Sequence, residues 1–274
     1  MRILKKSNDV RTMFFCALTA VVYRIHWKVG TCYALTLVSS LQSFQMSVVV
    51  HNCAHTHPFT SPSANFVFFL ILTLLSGSPT SLYVPGHNES HHRHLEKKGD
   101  MMRTNRMQYK SDTLNFVLFI PTILPDVIKN EQMFMKEQWR KGSSLFRQYL
   151  CEMSTFYAFL FLLFANDWRK TVIVYVIPSL IGKAFILSLN MLQHYRCEPD
   201  SKYNHSRNFT GPILNFLFLC NGYHTVHHIS PGLHWSLLPR EHSKIAHHIN
   251  PLLIHSNILM YTLKTHGPHK LWST

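Results

Sequence analysis

The sequence predicts an all-α integral membrane protein: about four transmembrane helices plus an interfacial or re-entrant helix, under a helical, histidine-rich cytosolic cap. Composition is the first reason, because 46% of the residues are apolar and only 15% are charged. The second is that the charges are bunched between long apolar segments, whereas a soluble chain needs charge spread over its surface. The third is that histidines cluster beside the ends of those segments. We treat residues 1–274 as a single domain.

Three segments have the length and composition of membrane spans. Residues 29–50 contain no charge, and at about 1.5 Å per residue they cross a hydrocarbon core of roughly 30 Å. Residues 148–166 and 171–192 form a predicted hairpin joined by the polar sequence DWRK. Residues 12–23 are a weaker fourth span, which is long enough only if the flanking arginines extend to the membrane surface.

Residues 64–84 are apolar enough to cross but are interrupted by Gly77, Ser78 and Pro79. Histidine clusters lie on both sides of this segment. If both clusters build one site, the chain must return to the side that it left. We therefore predict an interfacial or re-entrant helix here.

The basic residues are distributed asymmetrically about the predicted spans. The chain carries 27 Lys+Arg against 13 Asp+Glu, a net charge of +14. The short outer loops hold only Arg24, Lys28, Arg169 and Lys170, and Lys183 lies within a span. The remaining basic residues fall on the histidine side, which predicts a cytoplasmic active site beside the lipid bilayer. Because apolar segments separate the basic stretches, no nucleic acid partner is expected.

Histidines recur at helical spacing in HNCAH, HNESHH and HTVHH, and NMLQH pairs an asparagine with a histidine at i, i+4. Residues three or four apart share a helix face, so each unit directs its rings at one place. One zinc ion needs three or four ligands, and the set therefore suits two ions better. Imidazole binds iron, zinc and copper alike. The candidate ligands are His51, His55, His87, His91, His92, His194, His224, His227 and His228, with Asn190 as a further contact.

Two other metal designs do not fit. The HExxH motif of zinc proteases is absent. The soluble di-iron bundle needs four glutamates and two Glu-x-x-His units, whereas this chain offers one such unit, Glu89 to His92.

In order and spacing, HxxxH, HxxxHH and HxxHH resemble the membrane fatty acid desaturase and hydroxylase superfamily, and the desaturase branch most closely. NGYHTVHHISPGLHWSLLP is similar to the desaturase pattern Asn-Tyr-His-x-x-His-His followed by Pro and Leu-Pro. The resemblance covers residues 51–239. It implies four transmembrane helices under a cytosolic cap, a centre of two iron ions held by histidines, and O2 as co-substrate. It also implies that Asn190 contacts iron through a water molecule.

This resemblance implies desaturation of an acyl chain carried as a fatty acyl lipid, acyl-CoA or acyl-carrier protein. NMLQHY also resembles an element of membrane alkane hydroxylases, so a hydroxylase, or a former of terminal alkenes or alkynes, is the alternative. No His-Pro-Gly-Gly element of a fused cytochrome b5 domain is present. The electron donor is therefore expected to be a separate ferredoxin or cytochrome b5-type protein.

Two residues are candidates for substrate binding, Lys183 within a span and Trp235 after the third histidine cluster. A distant alternative is a non-catalytic, histidine-rich protein that binds or transports metal. A transporter needs polar groups at mid-membrane, and the uncharged segment 29–50 with ligands at helix ends argues against it.

Overall fold

The computed structural model describes residues 3–267, which are mostly α-helical, as predicted. A short parallel pair joins β1 (Asn208–Phe209) to β2 (Ile254–His255). Two further segments, Val84–His92 and Thr171–Val176, are π-helical. The α-helices of the described residues are α1 (Asp9–Val29), α2 (Tyr33–His55), α3 (Pro62–Ser76), α4 (Asp112–Arg140), α5 (Ser144–Lys170), α6 (Ile177–His194), α7 (Pro212–Leu217), α8 (His224–Ile229), α9 (Leu238–Ile245) and α10 (Ile258–His266).

The chain divides into two compact units. The first comprises Met1–Val84 and Met133–Ile186, and the second comprises Pro85–Gln132 and Leu187–Thr274. Helices α1, α2, α3 and α5 belong to the first unit, and α7 to α10 belong to the second. The second unit has its own apolar core, in which Phe119, Ile123 and Met191 are fully buried.

Within residues 3–267, two helical stretches are long and apolar enough to cross a membrane, α2 and the continuous run Ser144–His194. A third is added if α3 and the bent segment Thr80–His92 form one broken span. Helix α1 does not meet these criteria. The structure thus supports two or three such stretches, and the fourth span at residues 12–23 stays a prediction.

The run Ser144–His194 folds back on itself at Asp167, whose backbone leaves the helical region (φ −159°, ψ 101°). The rings of Phe159 and Tyr175 are 5.4 Å apart. In a straight helix, sixteen residues would separate them by about 24 Å. The Asp167 carboxylate accepts a hydrogen bond from the Lys170 amide at 3.0 Å, which caps the returning helix. The predicted hairpin at DWRK is therefore present.

Helix α3 ends where the sequence predicts a break. Gly77 adopts a left-handed conformation (φ +75°), which favours glycine because that region is crowded for residues with a Cβ. The chain bends by 85° between α3 and the segment Thr80–His92. Lys183 of α6 donates a hydrogen bond from Nζ to the Gly77 carbonyl at 2.7 Å. A cation at a helix C-terminus is favourable, because the last carbonyls carry partial negative charge.

Two tyrosines complete this cap. The Tyr175 hydroxyl donates to the Leu74 carbonyl at 2.8 Å, and the Tyr23 hydroxyl donates to the Leu75 carbonyl at 3.4 Å. The last carbonyls of a helix have no partner within the helix, and in an apolar environment each unsatisfied carbonyl is costly. Side chains from α1 and from segment Thr171–Val176 therefore stabilise a helix that stops among apolar neighbours.

The segment after the break is held by a buried acid. Glu152 of α5 is 0% exposed, and its carboxylate accepts hydrogen bonds from the Thr80 hydroxyl at 2.6 Å and the Ser81 amide at 2.8 Å. Gln148 donates to the same carboxylate at 2.8 Å. All of these contacts lie within the first unit and fix the chain direction after the break.

Candidate metal centre

Four histidine side chains of the second unit converge on one point. Helix α8 places His224 and His228 on one face at i, i+4, while His194 ends α6 and His91 lies in the segment Val84–His92. One ring nitrogen of each lies within 4.8 Å of the other three. The His194 Nε2 atom is 3.2 Å from His91 Nε2 and 2.9 Å from His224 Nε2, which is 3.1 Å from His228 Nε2.

The tautomers of two of these rings follow from their outer contacts. His91 Nδ1 lies 2.9 Å from the Asp100 carboxylate, and His194 Nδ1 lies 3.1 Å from the His205 carbonyl. Both oxygens can only accept, so each Nδ1 carries a proton, and the neutral form of either ring has its lone pair on Nε2. The two Nε2 atoms face each other at 3.2 Å, and two lone pairs cannot form a hydrogen bond. A cation between them resolves the repulsion.

The spacing of the four nitrogens suits a metal ion rather than a proton. Metal–imidazole bonds of about 2.0–2.1 Å put neighbouring ligand nitrogens about 2.8–3.4 Å apart at octahedral to tetrahedral angles. The observed separations of 2.9, 3.1 and 3.2 Å lie in that range. A shared proton could bridge only one pair of these four nitrogens. Burial and the neighbouring histidines lower the pKa of His228 well below its usual range, so its ring stays neutral and free to ligate.

Asp100 orients His91 and is itself rigidly held. Its carboxylate is 0% exposed and accepts hydrogen bonds from the amides of Glu96 at 2.9 Å and Met102 at 2.8 Å. Burial raises the pKa of Asp100, but the His91 ring and these hydrogen bonds outweigh that effect and lower the pKa to about 2. An ionised carboxylate at this position can only accept, in agreement with its contact with His91 Nδ1. Neither residue type nor spacing indicated Asp100 in the sequence.

A second carboxylate closes the loop that carries Asp100. Glu96 accepts hydrogen bonds from the Thr104 amide at 2.8 Å, the Thr104 hydroxyl at 3.0 Å and the Asn105 amide at 2.9 Å. Burial raises the pKa of Glu96, although these hydrogen bonds oppose the shift. Its backbone is left-handed at φ +59°, an uncommon conformation for a residue other than glycine. The hydrogen bonds of Glu96 therefore fix the conformation of loop 96–105, which carries Asp100.

Arg207 supports the other oriented ligand. Its guanidinium is buried and donates hydrogen bonds to the carbonyls of Leu192 at 2.7 Å and Tyr195 at 3.2 Å, on either side of His194. It also lies 4.5 Å from the centroid of the Tyr261 ring, at a distance typical of a cation–π contact. These contacts cap the end of α6. Neither the residue type of Arg207 nor its position in the sequence indicates this role.

Three further histidines of the second unit form another group. His92 Nε2 lies 3.0 Å from His87 Nε2 and 2.9 Å from His227 Nε2. A π-helix has i→i+5 hydrogen bonds, so residues 87 and 92 of the segment Val84–His92 share a face. The HxxxHH spacing therefore supplies both groups from one short segment.

His51 and His55 belong to the first unit, where they end α2. Their ring centroids are 5.4 Å apart, as expected for i, i+4. His51 is buried, and its Nδ1 lies 3.0 Å from the Asn52 side-chain oxygen. The assignment of these two residues as ligands stays a prediction.

The other predicted site residues have varied surroundings. Asn190 donates from its amide to the Met102 carbonyl at 3.1 Å, which fixes its side chain, and its water-mediated contact with iron stays a prediction. Lys183 caps α3 through Gly77, which gives it a structural role. Trp235 is buried. The substrate-binding roles of Lys183 and Trp235 stay predictions.

The fold and the site together define a class, namely a helical chain with apolar segments of membrane-spanning length and clustered histidines that are compatible with a metal site. The sequence model of the family described as fatty acid desaturase matches residues 25–256. The chain belongs to the fatty acid desaturase family. No curated protein and no solved structure matches it. Family membership implies an oxidoreductase with desaturase- or hydroxylase-type chemistry, and the apolar helices and family suggest membrane association.

Proposed function

We propose that the protein desaturates an acyl chain in an O2-dependent reaction at a membrane-embedded centre of two iron ions. The observation that carries this proposal is the group of four converging imidazoles, in which His91 Nε2 and His194 Nε2 lie 3.2 Å apart. Family membership supports iron as the metal, because imidazole alone does not select it.

The proposed ligand set comprises the nine histidines predicted as ligands from the sequence. Seven lie in the second unit as groups of four and three. We add His51 and His55 because their HxxxH motif ends an apolar helix and matches the first motif of the family. Nine nitrogens give each of two ions four or five, and Asn190 contributes a further contact through water.

The residues around these ligands orient the rings. The Asp100 carboxylate and the His205 carbonyl accept the Nδ1 protons of His91 and His194, which leaves Nε2 of each ring for the metal. His91, His194 and Asp100 are all buried, and their surroundings therefore restrict water at the reacting centre.

An iron pair supplies the redox chemistry that side-chain acids and bases lack, namely oxidation of an unactivated methylene. Overall, O2, two electrons and two protons remove two hydrogens from the chain, which leaves a double bond and two water molecules. In this proposal the two electrons come from an external ferredoxin or cytochrome b5-type donor. The position of the substrate against the metal decides between desaturation and hydroxylation.

The test is a mass-spectrometric lipid profile of a host that expresses this chain together with an electron donor. We expect a new acyl species lighter by two hydrogens. His227→Ala should abolish it, because a ligand nitrogen is lost. His247→Ala is the matched control, since His247 is exposed and outside both groups, and it should leave the species unchanged.

A new species heavier by one oxygen would show that the enzyme hydroxylates its substrate instead of desaturating it. A new species that persists in His227→Ala would contradict the proposed centre. A third outcome is that the iron-loaded protein forms no oxidised lipid but changes the metal content of the host. That outcome would favour the distant alternative, metal transport, over desaturation.

A further inference from the structure

A groove in the first unit lies beside the end of α3. Helix α3 has 15 residues and is about 22 Å long, which is shorter than a hydrocarbon core of roughly 30 Å. A cavity of about 330 Å³ is lined by its last turns together with α1, α5 and the segment Thr171–Val176. No lining residue is a histidine, so the groove is chemically distinct from the proposed ligands.

The walls of the groove are apolar. Leu74, Leu75, Phe159 and Val174 contribute aliphatic and aromatic surface. The hydroxyl of Tyr175, which also lines the groove, is engaged by a backbone carbonyl. Water needs two to four polar partners to occupy a cavity, and this surface offers few. A hydrocarbon chain fits these walls better.

The groove has a cationic rim. Arg24 lines it and is exposed, and among residues 3–267 no ion pair involves this guanidinium. Lys28 follows one turn later on α1. Trp27 lies between them in sequence and also lines the groove; Trp and basic residues typically mark the membrane–water interface. Guanidinium matches phosphate oxygens in a two-pronged geometry.

We propose that this groove binds a phosphoglycerolipid, with one acyl chain along the apolar walls and the phosphate on the Arg24 guanidinium. The positive charge at the rim favours a phosphate, and the apolar walls favour a hydrocarbon chain. A free anion would leave the walls uncovered, and a plain hydrocarbon would leave Arg24 without a counter-charge. The site requires that the protein lies in a membrane, but it does not depend on the oxidative reaction.

The test uses the full-length protein in phosphatidylcholine nanodiscs that contain a phosphatidylglycerol probe with a photoreactive diazirine midway along one acyl chain. After illumination, peptide mass spectrometry locates the adducts. We expect them on the peptides that hold residues 71–75 and 159–163. Arg24→Gln should lower this labelling about fivefold, because one basic residue near an anionic headgroup contributes about 1 kcal/mol to binding.

Two further variants sharpen the test. Arg169→Gln is the matched control, because Arg169 is an exposed basic residue that does not line the groove, and labelling should be unchanged. Ala20→Phe should lower labelling by filling the groove while keeping Arg24. Circular dichroism and iron content of each variant show that folding is intact, so loss of labelling reports the groove itself.

Labelling spread evenly over outward-facing helices, with no response to Arg24→Gln or Ala20→Phe, would overturn the proposal and indicate only unspecific surrounding lipid. A dimer in native mass spectrometry whose formation excludes the probe would assign the groove to a second copy of the chain and would also overturn it. Neither result bears on the proposed desaturation.

Discussion

Asp100 and the His205 carbonyl determine which nitrogen of their partner histidines is free for metal. A neutral imidazole carries one proton, and the tautomer with the proton on Nε2 cannot ligate through that atom. The carboxylate is 2.9 Å from His91 Nδ1 and the carbonyl is 3.1 Å from His194 Nδ1. The proposed metal binding therefore depends on two oxygens that contact the opposite nitrogen of each ring.

At this scale we predict that Asp100→Asn lowers metal affinity about 10- to 100-fold, the usual effect of removing a partner that orients a histidine ligand. The asparagine amide has one oxygen and one NH2 group, whereas both carboxylate oxygens of Asp100 act as acceptors, one for the Glu96 amide and His91 Nδ1 and the other for the Met102 amide. In either orientation, its NH2 group therefore faces a donor. Iron per chain after dialysis against a graded chelator series measures the effect. Asp200→Asn is the control, because the Asp200 side chain is 81% exposed and pairs only with Lys97 among the described contacts.

Asp100→Glu should recover part of the affinity, since the charge is kept. Equal iron retention in Asp100→Asn and the wild type would show that the carboxylate does not orient His91.

The clusters of histidines could be predicted from the sequence, because residues spaced three or four apart lie on the same face of a helix. Asp100 and Arg207 could not. Asp100 lies nine residues beyond His91 on a loop whose course depends on the Glu96 carboxylate, and Arg207 reaches back over 12 and 15 residues to Tyr195 and Leu192. Nothing in residue type or periodicity encodes such loop geometry.

At the scale of elements, the interrupted helix α3 depends on side chains from other elements. Its last carbonyls are bound by Tyr175, Tyr23 and Lys183, and Glu152 holds the segment that follows. Gly77 and Pro79 made the break predictable. The partners of this break were not predictable, because each lies more than 50 residues away from it in the sequence. The π-helical form of Val84–His92 also had no sequence signal beyond the HxxxHH spacing.

We predict that Tyr175→Phe destabilises the protein by about 1–3 kcal/mol, because the Leu74 carbonyl loses its donor in apolar surroundings while the ring packing is kept. Thermal unfolding in detergent measures this. Tyr157→Phe is the control, because Tyr157 is 57% exposed, and its melting temperature should equal that of the wild type. Equal melting temperatures for both variants would show that the hydroxyl does not cap α3.

For the whole molecule, the excess of basic residues and its distribution set the expected orientation. The chain carries +14, and only four basic residues fall on the predicted outer loops. Anionic lipid and the positive-inside rule both favour the cytoplasm for the histidine-bearing side. The membrane class was evident from composition, whereas the number of crossings was not, because α1 and α3 are marginal in length or apolarity.

We therefore predict opposite accessibility for two exposed positions, Lys98 and Arg169. The background carries Cys32→Ser, Cys151→Ser and Cys197→Ser, because these are the three cysteines that are not buried. A cysteine then replaces each position in turn, and intact cells are treated with a membrane-impermeant maleimide. Arg169→Cys should be labelled directly, and Lys98→Cys only after the membrane is permeabilised. Direct labelling of Lys98→Cys would reverse the orientation.

The central claim is that the converging histidines hold two iron ions, and elemental analysis with Mössbauer spectroscopy on ⁵⁷Fe-grown, purified protein tests it most directly. We predict about two iron atoms per chain in nitrogen- and oxygen-rich, non-haem sites. His194→Ala should remove iron while His247→Ala retains it. Zinc in place of iron, or equal iron in both variants, would contradict the account.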